Sequence, residues 1–230
     1  MSDWSGTQVI AGIASDIFDR LPKDAVMGPS RPEWGSTDPE PVAYWKERTA
    51  AYKGIVTWSP TIDPEALKTL SLRMVLESGV RPLFHSWAVA PIVEDGTMRG
   101  AIFESKEGRQ AILAKIVVDT TGDADLLAGA ASPLEVDVDV EDIHHCINTA
   151  FLLGGVDFER WLAFRRNDPA GFSAFTALGR ETLHLFEKPF CSWRTDIALF
   201  MGPRLSGYSA VDIEDLTELA AARGELTRFD

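Results

Sequence analysis

The chain opens on helical spacing. Between Gly6 and Leu21, apolar residues fall at Ile10, Ile13, Ile17 and Leu21, with Ala14 and Phe18 beside them, while Asp16, Asp19 and Arg20 take the opposite face. Pro22 ends this helix, because its ring removes a backbone donor. Residues 28–41 are rich in Pro, Gly and Ser and read as a loop. Val42, Trp45, Thr49 and Tyr52 suit one face of a short helix, and a second loop follows over 54–61. Asp63-Pro64-Glu65 predicts a sharp helix start: the Asp carboxylate accepts from free N–H groups, and Pro fits the first helical position. That helix carries Leu67, Leu70, Met74 and Leu76 and stops at Gly79. Val80 to Phe84 then predicts a short apolar strand, so that helix and strand make half of an α/β unit.

Over residues 87–113 the period changes to that of strands. Trp87 to Val93, Met98 to Phe103 and Arg109 to Leu113 predict three strands joined by two tight turns, Glu94-Asp95-Gly96-Thr97 and Lys106-Glu107-Gly108. This is a β-meander set into an α/β chain. Lys115 to Asp119 is apolar on both faces, which predicts a buried parallel strand. It runs into Thr120-Thr121-Gly122-Asp123, and Ala124 to Ala131 suits a small helix. Further on, Phe151 to Leu153 predicts a strand ending at Gly154-Gly155, while 157–166, 173–187 and 212–226 have helical character and 202–209 reads as a loop.

Composition narrows the function classes. The chain has 230 residues, 45% hydrophobic and 25% charged, which describes a globular protein with room for one large domain or two small ones. A formal charge of -13 argues against a nucleic-acid partner, since phosphate backbones are held by clustered Lys and Arg. Glu135 to Asp142 is the densest acidic stretch. Its alternation of Glu135, Asp137 and Asp139 with Val136, Val138 and Val140 suits an edge strand or loop, and lacks the Gly and terminal Glu of a calcium loop. No apolar run reaches the roughly 18 residues of a membrane helix. Met1-Ser2-Asp3-Trp4 lacks the basic-then-apolar pattern of a signal peptide, so a cytoplasmic protein with no membrane partner is expected. Only Cys146 and Cys191 occur, too few for a disulfide framework. His144-His145-Cys146 lacks Cys-x-x-Cys or His-x-x-x-His spacing, so no metal site is expected there.

The order of parts over 63–133 resembles the FAD-dependent oxidoreductases related to the fumarate reductase and succinate dehydrogenase flavoproteins. The matching parts are the Asp63-Pro64-Glu65 helix, Gly79-Val80, the His85-Ser86 turn, the meander with its Glu94-Asp95-Gly96 hairpin and Gly108-Arg109-Gln110 turn, and Thr121-Gly122-Asp123-Ala124-Asp125. Ala11-Gly12-Ile13-Ala14, Gly154-Gly155-Val156-Asp157 and Asp212 to Thr217 are also similar to family segments. The resemblance implies an α/β fold: an incomplete FAD-binding, Rossmann-like parallel sheet with a β-meander crossover, plus a smaller substrate-side α+β region. It divides the chain into a partial FAD-binding domain (1–133), a substrate-side region (134–205) and a C-terminal helix returning toward the FAD domain (206–230).

Physically, ligands of open parallel sheets bind beyond the carboxyl ends of the strands, and a glycine there lets backbone approach a phosphate or ribose. The resemblance sets Thr121, Gly122 and Asp123 beside the dinucleotide part of FAD. It sets the backbone of Ala88, or of Val89 one position on, against the adenine. On spacing alone, Gly122 equally serves a tight turn and Asp123 a helix cap. On the substrate side it points to His145, because the segment before Gly154-Gly155 faces the substrate in the resembling enzymes. Arg204, in a glycine-rich loop, suits bidentate binding of a carboxylate or equally an ion pair, and Tyr208 suits proton donation or packing.

The departure from the family is as informative. Its enzymes begin with a strand and a G-x-G-x-x-G turn that seats the pyrophosphate on a helix N-terminus, and no such motif occurs in these 230 residues. They also continue past the position of Asp230 with a segment that closes over the flavin. The chain is therefore expected to be an interior fragment of such an enzyme, with weak FAD binding alone, or none. An unpaired apolar edge along 115–119 would invite association or aggregation, a homo-oligomer included; the missing pieces are expected on a partner subunit, unless the chain is a truncated product or has a mis-called gene start. The expected activity is hydride transfer between FAD and an unidentified small organic substrate. The alternatives are a non-catalytic structural subunit that binds no flavin and a nucleotide-binding module without redox chemistry.

Overall fold

A computed structural model of the chain describes residues 5, 7–48, 50–122, 124–132, 147–148, 150–183, 189–202 and 204–205. In chain order the elements are α1 (Ile13–Arg20), β1 (Val26–Met27), α2 (Pro39–Glu47), β2 (Ala51–Tyr52), β3 (Ile55–Val56), β4 (Thr61–Ile62) and α3 (Pro64–Glu77). Then come β5 (Trp87–Glu94), β6 (Thr97–Ser105), β7 (Gly108–Leu113), α4 (Asp125–Gly129), β8 (Ile147–Asn148), β9 (Phe151–Gly154), α5 (Phe158–Asn167) and α6 (Pro169–Leu183). β10 (Phe190–Cys191), β11 (Ile197–Phe200) and β12 (Arg204–Leu205) complete the set. The described chain thus mixes helices with several small sheets. It packs as two compact units: Met1–Met74 with Ile143–Asp230, and Val75–Asp142.

In the first unit two segments distant in sequence, 27–56 and 158–191, pack together. Trp45, Ala50 and Val56 are buried together, with Met27, Val42 and Ala51 against them. Phe158, Leu162 and Cys191 form a second buried group, which Met27 also touches. Met27 thereby joins residues far apart in sequence. β9, β10 and β11 form an antiparallel sheet in the order β10-β11-β9, and Phe151 stacks on Phe200 across it with ring centroids 4.8 Å apart. Asp157 caps α5 by accepting from the Arg160 N–H at 2.9 Å, and Asp63 accepts from the Glu65 N–H at 2.9 Å at the start of α3.

The second unit is built on the meander. β5, β6 and β7 pair antiparallel in sequence order. The first hairpin turn puts Asp95 at φ 49° and Gly96 at φ 71°, the positive pair that matches strand twist in a two-residue connection. Gly100 in β6 is required by closeness: an added Cβ would lie 2.1 Å from the carbonyl oxygen of Ile112 in β7. α4 rests on β5 at its C-terminal end, where Gly129 meets the Pro91 ring.

Two predicted strands are absent. Residues 80–84 and 115–119 form no strand, and every strand pairing among the described residues is antiparallel. Ile116 is 81% exposed, Val118 76% and Phe84 62%. A strand apolar on both faces gains its stability from neighbours that cover it, and none of the described residues pairs with these two segments. Helix α1 is also shorter than expected, and Ala51 and Tyr52 enter a hairpin with Val56 and Ile55 rather than extending α2. The acidic stretch over 135–142 and the helix predicted over 212–226 lie outside the described residues.

Candidate functional site

Four of the residues singled out by the sequence, Ala88, Val89, Thr121 and Gly122, are described and belong to the meander unit. Ala88 is half-buried in β5 and pairs with Phe103 of β6. The next pair is Ala90 with Ile102, so Val89 is the extra residue of a β-bulge and has no partner in the register. A bulge takes one residue's backbone out of the ladder and bends the strand, a device common beside binding sites. Val89 is 43% exposed.

The turn after Val118 is organised by a residue that the sequence reading passed over. Asp119 accepts the Thr121 N–H at 3.0 Å and the Thr121 hydroxyl at 2.8 Å on one oxygen. Its second oxygen accepts the Leu127 N–H at 2.9 Å. Thr121 Oγ1 in turn accepts the Asp125 N–H at 2.9 Å. The donors at the start of α4 are thus taken up by side chains of the turn itself. These bonds, that from the Thr121 N–H first, then the Leu127 N–H and the Thr121 hydroxyl, hold the Asp119 carboxyl below its ordinary value of 3.8. An Asp two residues ahead of a Thr in a turn is a known local competitor for backbone N–H groups, and that spacing was the available signal.

Gly122 has φ +97°, and a Cβ built there would meet nothing within 4 Å. The backbone is therefore open to approach on that side. Ala124 follows in the left-handed region at φ 57°, ψ 39°, uncommon for a residue with a Cβ. Such sparsely populated backbone recurs at ligand clamps.

The remaining candidates are elsewhere. Asp123, His145 and Tyr208 lie outside the described residues. Arg204 is in β12, where its Cα pairs with Asn148 of β8, in the first compact unit. The structure thus brings the nucleotide-side candidates onto one unit and gives no grouping of the substrate-side ones. No helix among the described residues is long and apolar enough to cross a membrane.

The turn is exposed, and at Gly122 its backbone is open to approach by a ligand. It is a poor seat for a pyrophosphate, because a carboxylate already occupies the anion position at the start of α4. Among known proteins, a family model described as FAD dependent oxidoreductase matches residues 1–208. Comparison with curated proteins and with solved structures yields no match.

Proposed function

This chain belongs to the FAD dependent oxidoreductase family, whose cofactor is FAD, and from that premise we propose that it serves hydride transfer between FAD and a small organic substrate. The flavin ring supplies the redox chemistry when bound, accepting or donating the hydride. The polypeptide binds and orients. In this reading the bulged backbone at Ala88 and Val89 meets the adenine, and Thr121, Gly122 and Asp123 meet a sugar-hydroxyl portion of the dinucleotide. The single observation that carries it is the seating of α4 on β5 at Gly129 and Pro91, which ties the Gly122 turn and the Val89 bulge to one compact unit.

On the substrate side, Arg204 would bind an anionic group, with His145 and Tyr208 as proton-handling groups, in an enzyme related to the fumarate reductase and succinate dehydrogenase flavoproteins. A guanidinium suits that role because it offers paired donors to a carboxylate and stabilises developing charge. The functional partition we propose is an FAD-binding domain over 1–133, a substrate-side region over 134–205 and a returning helix over 206–230, in a cytoplasmic protein.

The pyrophosphate calls for a further anion site. No G-x-G-x-x-G turn occurs in these 230 residues, so in this reading companion polypeptide, of the same chain or of a partner, supplies it. Support comes from segments 80–84 and 115–119, whose exposed apolar side chains suit burial in a parallel sheet that the companion completes. A second reading, a structural flavoprotein subunit that binds no flavin, is favoured by the same missing motif.

The absorbance spectrum of the purified chain, alone and after co-expression with its neighbouring reading frames, separates these. Flavin retained by the assembly and little by the isolated chain is the expected result. Stoichiometric FAD on the isolated chain would remove the need for a companion, and no flavin in either preparation would leave the structural reading.

A further inference from the structure

The Asp119 carboxylate spends both oxygens within its own turn: one on the Thr121 N–H and hydroxyl, the other on the Leu127 N–H. It therefore has a role that cofactor contact does not describe. By bonding to Thr121 and to Leu127, it ties the residue before Gly122 to the first turn of the short helix that docks on β5. Gly122 lies inside that closed loop, with its open side unobstructed.

We propose that Asp119 is a positioning residue for FAD, holding the 121–127 turn in the shape that presents Gly122 to the cofactor's hydroxyl-bearing chain and closing the start of α4 to phosphate. The inference rests on the FAD reading above and adds to it a residue and a discrimination. With its first donors taken by Asp119 and Thr121, α4 offers a neighbouring phosphate a negative carboxylate in place of free N–H groups. A sugar hydroxyl carries no charge to be repelled, and it can donate to carbonyl oxygens of the turn. The turn is thus selective for the part of the dinucleotide that it receives.

The test uses Asp119→Ala and Asp119→Asn in whichever preparation of the full chain retains flavin. Asn keeps one acceptor oxygen and turns the other position into a donor, so it restores part of the network and Ala restores none. Hydrogen exchange at the Thr121 and Leu127 amides is expected to speed by about tenfold in Asp119→Ala and by less in Asp119→Asn, with β6 amides unchanged. The dissociation constant for FAD, read by quenching of flavin fluorescence, is expected to rise by about tenfold in Ala and to recover partly in Asn. Unchanged exchange at both amides overturns the clamp. Faster exchange with unaltered FAD affinity overturns the positioning role. Wild-type protein that retains no flavin in any preparation defeats the FAD reading itself, and the exchange arm still decides the clamp. Inorganic phosphate that shifts the Leu127 amide resonance of the wild-type protein would overturn the discrimination against phosphate.

Discussion

Gly129, the last residue of α4, sits against the ring of Pro91 in β5 with space for a hydrogen and little more: a Cβ there would approach Pro91 Cδ to 2.8 Å. Pro91 pairs with Ala101 in β6, so it cannot give way without disturbing the ladder. The contact sets where the short helix, and the turn that feeds it, meets the meander.

Gly129→Val is therefore expected to cost about 1–3 kcal/mol by overpacking a close contact. The check is hydrogen exchange: faster exchange is expected at the α4 amides, while the β6 amides paired with β7 keep their protection.

Gly122→Val tests the other end of the same element. At φ +97° a β-branched residue is strained, at a cost of about 1–2 kcal/mol. A Cβ finds open space there, so the fold is expected to survive and the side chain to occupy the approach to the backbone. Flavin retention by the assembly is expected to be lost, measured from the absorbance of the purified protein. Full retention would remove Gly122 from the site.

These two positions show what was legible in the sequence and what was not. The meander was readable because Asp95-Gly96 and Gly108 are local signals with positive φ, and the strand boundaries follow from them. The Asp63-Pro64 helix start was readable for the same reason. Strands at 80–84 and 115–119 were read from apolarity alone. Pairing is decided by residues far away, so the pattern states that a segment suits burial and says nothing of what covers it. The Val89 bulge could not be foreseen, because it is a mismatch between two strands rather than a property of one. Asp119 escaped because its bonds reach forward across a turn, with nothing in the apolar pattern to mark them.

The first unit makes its own demand. The Arg48 side chain is buried at the end of α2, lies 3.9 Å over the Tyr44 ring and bonds to Glu159 of α5, joining residues 111 positions apart. Glu159 itself is largely exposed, so water screens part of the attraction. Glu159→Ala is expected to cost about 1–2 kcal/mol, below the usual 3–5 for breaking a fully buried pair. Urea unfolding should show a lower midpoint with an unchanged slope.

Cys191 carries a pH dependence. Burial is the first cause raising its thiol above the ordinary value of 9.0; the nearby Arg48 charge opposes this, and Glu159 adds to it. A folded-state value above the unfolded one means the native state holds the proton more tightly. The stabilisation is complete below the unfolded value and is lost as pH rises through the folded one. In a Cys146→Ser background, alkylation by iodoacetamide at pH 8 is expected to be slow until urea unfolds the protein. Rapid reaction under native conditions would place the thiol at the surface.

Photolabelling with an FAD analogue carrying an azide on its adenine reads the central claim directly, in the preparation that retains flavin. Label displaced by excess FAD and recovered in the peptide spanning 87–94, with Gly122→Val abolishing it, is the expected result. Label recovered only from the unit formed by Met1–Met74 and Ile143–Asp230 would contradict the assignment of FAD to the bulged strand and its neighbouring turn.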